Sequence, residues 1–198
     1  MKKYNAKWMV KVSMLSAVSV VLMLFEFPIP FIAPPFYELD FSEVPVLLGA
    51  FALGPLAGVV IELLKILLNL LINGTITAGV GEFANFVIGI SFVLPAELIY
   101  KRHKSRKNAI IGMAVGGASM VVLGCFINAF IMIPAFGAAL KMPMDSFISM
   151  GKAIHPSIDS ILGLVIFCVA PFNALKAVLV SIIVNFIYKP LSSVIKVK

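Results

Sequence analysis

The sequence predicts an all-α integral membrane protein with six transmembrane helices and both termini in the cytoplasm. Three observations predict it. Of 198 residues, 61% are hydrophobic and 13% charged, against roughly 45–50% and about 25% in soluble domains. The apolar residues fall in runs that suit bilayer crossings of about 20 residues each. The Lys and Arg residues collect in short segments between those runs. A soluble fold of this size could not cover so much apolar surface with so few charges, so lipid solvates much of the chain. About six helices and short loops use the whole length, so residues 1–198 form a single transmembrane domain.

The first span covers 9–25 and follows Lys2, Lys3 and Lys7. A basic start and an apolar run resemble a signal peptide. No A-x-A-like cleavage site follows, and the run leads straight into a proline-rich segment, so it is read as a retained span. That segment, FEFPIPFIAPPFYELDFSE (25–43), carries four prolines and cannot be regular helix. From Val44 to Ile72 the chain is almost continuously apolar, interrupted by Gly54-Pro55. It could be one tilted helix or two passes, 43–54 and 55–72. The later spans are 79–100, 109–135 and 161–188.

Charge decides between one pass and two. Lys2, Lys3, Lys7 and Lys11 mark the N-terminus, Lys101, Arg102, Lys104, Arg106 and Lys107 an internal loop, and Lys189, Lys196 and Lys198 the C-terminus. The positive-inside rule places all three in the cytoplasm. An even number of crossings must then separate the first two, which requires a break at Gly54-Pro55. Lys141 and Lys152 fall outside, and Lys65 and Lys176 lie within spans. Trp8, Tyr100 and Tyr188 reach the inner interface, where an aromatic belt is expected.

The same distribution excludes other classes. A net charge of +7 could suggest nucleic acid, but short basic runs between apolar segments orient a protein in a membrane and form no nucleic-acid face. Cys125 and Cys168 lie within apolar segments without CxxC spacing and read as buried thiols. His103 sits in the basic loop and His155 in an outer loop, with no second ligand at metal spacing. No Walker A sequence is present, so ATP-driven transport needs another subunit. The spans show no acid–base pair or metal cluster that an enzyme would want.

Polar groups within spans are costly and face a bundle interior or cavity. At about 1.5 Å per residue, Asn69, Asn128, Asn173 and Lys176 stand roughly 18–28 Å above the inner interface, and Asn85 roughly 9 Å below the outer end of its helix. Five polar groups gathered in the outer half imply a pocket open to the exterior. The alternative is that each Asn joins two helices. Asn173 and Lys176 are three apart and share a helical face, with Pro171 loosening the helix before them. A carboxamide matches an imide-like edge, and a lysine adds a donor. Glu62 and Lys65 share the same spacing and read as a structural ion pair. Ser13 and Ala17 form a small-xxx-small pair, for packing within the chain or against a partner subunit.

LDFSEVPVLLGAFALGPLAGVVIELLK (39–65), VGEFANFVIG (80–89), CFINAFIMIPAF (125–136) and PFNALK (171–176) resemble the riboflavin-binding S components of energy-coupling-factor (ECF) vitamin transporters. The resemblance runs from the first span to Tyr188. It implies the S-component fold, capture of riboflavin from outside, and a membrane-embedded T subunit with two cytoplasmic ATPases as partners. Riboflavin is then the transported ligand, and no cofactor is expected. The resemblance also implies a lid in the first outer loop around Tyr37, Glu38, Leu39, Asp40 and Phe41. Asn128, Asn173 and Lys176 would hold the flavin ring, with Asn85 beside them. Ser13 and Ala17 stand roughly where the family docks the T subunit, with Ser in place of the usual Ala. The competing readings are an S component for thiamine, biotin or folate, or a stand-alone facilitator.

Overall fold

The computed structural model describes residues 5–195. Lys2, Lys3, Lys196 and Lys198, part of the expected cytoplasmic charge, lie outside the described residues.

The fold is mostly helical. Helix α1 (Ala6–Met23) starts at Asn5, whose Oδ1 accepts from the Trp8 main-chain N–H at 3.0 Å, satisfying one of the helix's first unpaired donors. The proline-rich segment is not helical. It folds back on itself through a minimal antiparallel pair, β1 (Phe27–Pro28) against β2 (Glu38–Leu39). This pair departs from the all-α expectation, because no side-chain periodicity marks two-residue strands.

Helix α2 (Glu43–Leu53) and α3 (Pro55–Asn73) are separated at Gly54. Gly54 has φ 102° and ψ 172°, a conformation essentially reserved for glycine, and Pro55 starts α3 where its missing N–H costs nothing. Every residue from Glu43 to Phe51 is buried. At about 1.5 Å per residue, α2 is short of a hydrocarbon core of about 30 Å. Among the described residues, five helical stretches are long and apolar enough to cross: Ala6–Met23, Pro55–Asn73, Val80–Arg102, Arg106–Leu140 and Ile161–Leu191. Within the expected span 43–54 lies the shorter apolar helix Glu43–Leu53, buried from Glu43 to Phe51.

Helix α4 (Val80–Arg102) and α5 (Arg106–Ile127) approach closely because α5 presents glycines there. A Cβ on Gly116 would sit 2.2 Å from the Phe92 carbonyl oxygen, and one on Gly112 would sit 2.4 Å from that of Ala96. The segment expected over 109–135 continues past α5, through a π-helical turn (Asn128–Met132), into α6 (Ile133–Leu140). The last span does the same. It begins with α8 (Ile161–Leu164), after the short α7 (Met144–Lys152), passes a π-turn (Val165–Val169), and becomes α9 (Ala170–Ile195).

Both wide turns have one cause. A proline ring clashes with the carbonyl four residues earlier and donates nothing to it. For Pro134 and Pro171 those carbonyls belong to Phe130 and Phe167, each in the middle of a π-turn.

One apolar cluster joins α2, α3, α4, α5 and α9 around Leu47, Phe51, Ile61, Phe92 and Val180. A second lies under the β1–β2 segment, around Leu39, Ile133, Phe147, Ile158 and Leu164. Many large apolar side chains point outward, among them Met14, Leu71, Phe83, Val122 and Phe186, as lipid contact requires. Of Tyr100 and Tyr188, expected in an aromatic belt, Tyr100 is buried and Tyr188 half-buried. Their hydroxyls meet at 2.9 Å, and Tyr188 also donates to the Phe51 carbonyl at 3.2 Å.

Candidate functional site

A cavity of about 270 Å³ lies between the β1–β2 segment and the ends of α3, α4, α5 and α9. Asn69, Asn85, Asn128, Asn173 and Lys176 all line it, as do Tyr37 and Asp40 from the segment above. Three helices and the two π-turn regions therefore deliver the polar groups to one place. The π-turns matter because each widens a helix beside the residue that lines the cavity, Asn128 in one and Phe172-Asn173 just after the other.

Asn128 is 4% exposed and Asn173 6%. The Asn128 amide nitrogen donates to the Gly124 carbonyl at 2.8 Å, and its Oδ1 accepts from the Tyr37 hydroxyl at 2.8 Å. The Asn173 amide nitrogen donates to the Val169 carbonyl at 3.1 Å. Gly124 lets Asn173 come this close to α5, since a Cβ there would lie 2.8 Å from the amide nitrogen. Both amides are thus anchored through nitrogen to the preceding helical turn, which fixes the orientation of their oxygens.

Lys176 is buried, and its Nζ donates to Asp40 Oδ2 at 2.7 Å. Asp40 Oδ1 accepts from the Ser42 main-chain N–H at 2.7 Å, and the Ser42 carbonyl accepts from the Ser19 hydroxyl of α1. Burial pushes the Asp40 carboxyl upward, but the Lys176 charge, helped by Lys65, overrides it and holds the group down at about 2. The Asp40 carboxylate is thereby tied to α9 and, through Ser42, to α1.

The rest of the wall is aromatic and acidic. Phe36 packs on Tyr37, Phe136 and Phe147 with ring centroids 4.6, 5.7 and 5.6 Å away, and Tyr37 lies 5.8 Å from Phe172. Burial raises the Tyr37 phenol, so the hydroxyl remains a donor. Glu26, Glu38 and Glu82 also line the cavity. Burial pushes Glu26 up to about 7, with the charges of Glu38 and Asp40 adding to the rise and Lys176 opposing it.

Leu39 and Phe41, expected in the lid surface facing a ligand, turn into apolar packing. Leu39 is 2% exposed in the second cluster, and Phe41 packs against both clusters. The cavity takes Phe36, Tyr37, Glu38 and Asp40 from this stretch, while Leu39 and Phe41 fill the apolar packing behind it. Sequence reasoning missed Glu26, Phe36, Phe136, Phe172 and Glu82 as wall residues. Glu82 was the most legible, since it precedes Asn85 by three and shares its helical face.

Glu62 and Lys65 meet as expected, at 2.8 Å, but Glu43 reaches the same ammonium at 2.7 Å. All three are at most 1% exposed. The spacing of Glu62 and Lys65 announces itself in sequence, whereas Glu43 comes from the next helix back. Ser13 and Ala17 are exposed on α1, and the neighbouring Ser16 is buried, its hydroxyl donating to the Val12 carbonyl at 2.9 Å. Among the described residues no group of three or more His, Cys, Asp or Glu is placed to hold a metal ion. The cavity offers fixed amide oxygens, a buried ammonium and aromatic walls, which suits a flat ligand with donors and acceptors along one edge.

Residues 7–188 match the family of ECF transporter substrate-specific components. The chain is 35% identical to the riboflavin transporter RibU of Staphylococcus aureus (strain TCH60), over 96% of this chain and 93% of that protein. It is 32% identical to the riboflavin transporter FmnP of Bacillus subtilis (strain 168), over 93% and 91%. A solved structure of the S component of a bacterial ECF transporter superposes with a TM-score of 0.74 and 36% identity, covering 96% of this chain and 98% of that one.

Proposed function

The chain belongs to the substrate-specific components of ECF transporters, and on that premise we propose that it captures riboflavin from outside for ATP-driven uptake by partner subunits. It is a multi-pass cell-membrane protein and a transport component, not an enzyme. Two relatives named as riboflavin transporters, each matched over at least 91% of its own length, favour riboflavin over thiamine, biotin or folate.

The observation that carries this reading is the convergence of Asn128, Asn173 and Lys176 on one aromatic-walled cavity beneath Tyr37 and Asp40. The isoalloxazine ring is flat and apolar in its middle, with carbonyls, an imide N–H and ring nitrogens along one edge. An amide oxygen accepts from the imide N–H, an amide nitrogen donates to a carbonyl, and Lys176 donates to a second carbonyl or a ring nitrogen. Tyr37 and Asp40 already bond to Asn128 and Lys176, so the loop that covers the ring is tied to the groups that grip it. Riboflavin is cargo here and no cofactor is invoked.

The partners in this reading are a membrane-embedded T subunit, docking on the exposed small residues Ser13 and Ala17 of α1, and two cytoplasmic ATPases. With both termini and the 101–107 loop inside, α2 takes the place of a sixth, oblique crossing.

The test is direct. Protein purified in detergent should carry a flavin absorption spectrum or quench added riboflavin fluorescence at a one-to-one ratio. Reconstituted alone in liposomes it should bind riboflavin without accumulating it. Uphill accumulation without ATPases would refute the assignment.

A further inference from the structure

We propose that the cavity takes up a proton together with its ligand, and that Glu26 holds it. The inference rests on the reading that riboflavin fills this cavity, and it adds a pH dependence to that capture.

Glu26 lies between α1 and β1, outside the spanning helices, and forms part of the cavity wall. The β1–β2 pair brings other carboxyl groups to it. Phe27 pairs with Leu39 and Pro28 with Glu38, so the same register sets Glu26 across from Asp40, with Glu38 on the diagonal. Opposite and diagonal neighbours on a strand pair come within reach of each other. Glu26 accordingly feels the charges of Glu38 and Asp40, and also that of Lys176 on α9. From α4, Glu82 lines the same cavity.

These four carboxyl groups differ in what a proton could do for them. Asp40 is buried but matched, with Lys176 Nζ at 2.7 Å and the Ser42 main-chain N–H at 2.7 Å. Glu38 is exposed, so water supports its charge. Glu82 already accepts from the Thr75 hydroxyl at 3.0 Å. Glu26 is half-buried and has no ion pair among the described residues. Lys176, the one basic side chain among the described residues lining the cavity, is engaged by Asp40. Burial first, then Glu38 and Asp40, push the Glu26 carboxyl up to about 7, so near neutral pH it exchanges its proton readily.

A ligand in the cavity removes water from this wall. Losing water disfavours the charged form of a carboxyl that has no cation in exchange. The neutral form also carries an O–H donor that a carboxylate lacks, and riboflavin offers hydroxyl and carbonyl oxygens to accept from it. The proton comes from solvent and bonds to a Glu26 carboxylate oxygen. Linkage is reciprocal, so a ligand that draws a proton onto Glu26 is itself bound more tightly when the proton is there. Capture is then tighter on the more acidic side of the membrane.

The experiment is calorimetric titration of the full chain with riboflavin in buffers of different ionisation enthalpy, which counts the protons exchanged. Near neutral pH a fraction of one proton should be taken up per riboflavin. Affinity should fall about fivefold from about pH 6 to about pH 8, if covering Glu26 favours its neutral form by a factor of about ten. Glu26→Gln should abolish both the uptake and the pH dependence. If that variant is not monodisperse, Glu38→Gln carries the test, since removing a like charge beside Glu26 should move the uptake to lower pH. No net uptake by the unaltered chain, uptake undiminished in Glu26→Gln, or an unmoved profile in Glu38→Gln would each overturn the proposal. Absence of riboflavin binding at every pH would instead refute the riboflavin reading, and this inference with it.

Discussion

Asn128 and Asn173 illustrate how a polar residue becomes useful inside a membrane protein. Each amide uses its nitrogen to bond the carbonyl four residues back, so the side chain is held by its own helix. Replacing either by Ala leaves a buried ligand group unmatched, a loss of about 1–3 kcal/mol. Riboflavin affinity should therefore fall roughly 5- to 150-fold, at about 1.4 kcal/mol per factor of ten, measured by calorimetric titration of monodisperse protein. Lys176→Ala should cost at least as much, because charge-assisted bonds are stronger and Asp40 would lose its ion-pair partner. Unchanged affinity in all three variants would remove them from the site. Glu26 offers a pH test. A carboxyl raised from its ordinary 4.5 to about 7 stabilises the fold fully below the lower value, and that contribution fades as pH rises through about 7. Asp40 behaves oppositely, contributing above its ordinary 3.8 and losing that contribution only as pH falls toward about 2. Between pH 5.5 and 8 only Glu26 of these two titrates. Thermal unfolding should show a stability term that declines over this range and disappears in Glu26→Gln. An identical pH slope in that variant would rule out Glu26 as its source.

At the scale of elements, prolines and glycines set the geometry that the apolar residues then fill. Pro134 and Pro171 produce the two π-turns, and Gly112 and Gly116 let α5 lie against the α4 backbone. Gly116→Ala places a methyl group 2.2 Å from the Phe92 carbonyl oxygen, a contact only a helix shift can relieve. Overpacking of this kind typically costs about 1–3 kcal/mol, so the melting temperature should drop. Val115→Ala, at an exposed position one residue earlier, should change it little. Equal melting temperatures for the two variants would mean that the α4–α5 contact is soft. The Glu43–Lys65–Glu62 group joins α2 to α3 in the same way. Here a buried ammonium faces two carboxylates, an arrangement that depends on α2 being folded back along α3 at Gly54.

For the whole molecule, the charge distribution predicts which end of the bundle faces the cytoplasm. Cysteines placed at both termini and in the 101–107 loop should resist membrane-impermeant reagents in intact cells. One placed near Lys152, at the end of α7, should react. Labelling of the 101–107 loop from outside would invert the orientation and put the riboflavin cavity on the wrong side of the membrane.

Membrane class, helix order, the break at Gly54-Pro55 and the pair Glu62–Lys65 were legible in the sequence. All depend on local composition or on spacing within one helix, where 3.6-residue periodicity and proline or glycine chemistry act directly. The amides Asn69, Asn85, Asn128 and Asn173 could be placed by depth for the same reason. What only the tertiary structure decided involves partners distant along the chain. Lys176 pairs with Asp40 across 136 positions, and Tyr37 reaches Asn128 across 91. Glu43 joins the Glu62–Lys65 pair, and the Tyr100 hydroxyl meets that of Tyr188. Leu39 and Phe41 leave the cavity wall for apolar clusters built by residues distant along the chain. A sequence specifies which groups are too costly to leave in lipid. Which of them meet is decided by how the helices pack.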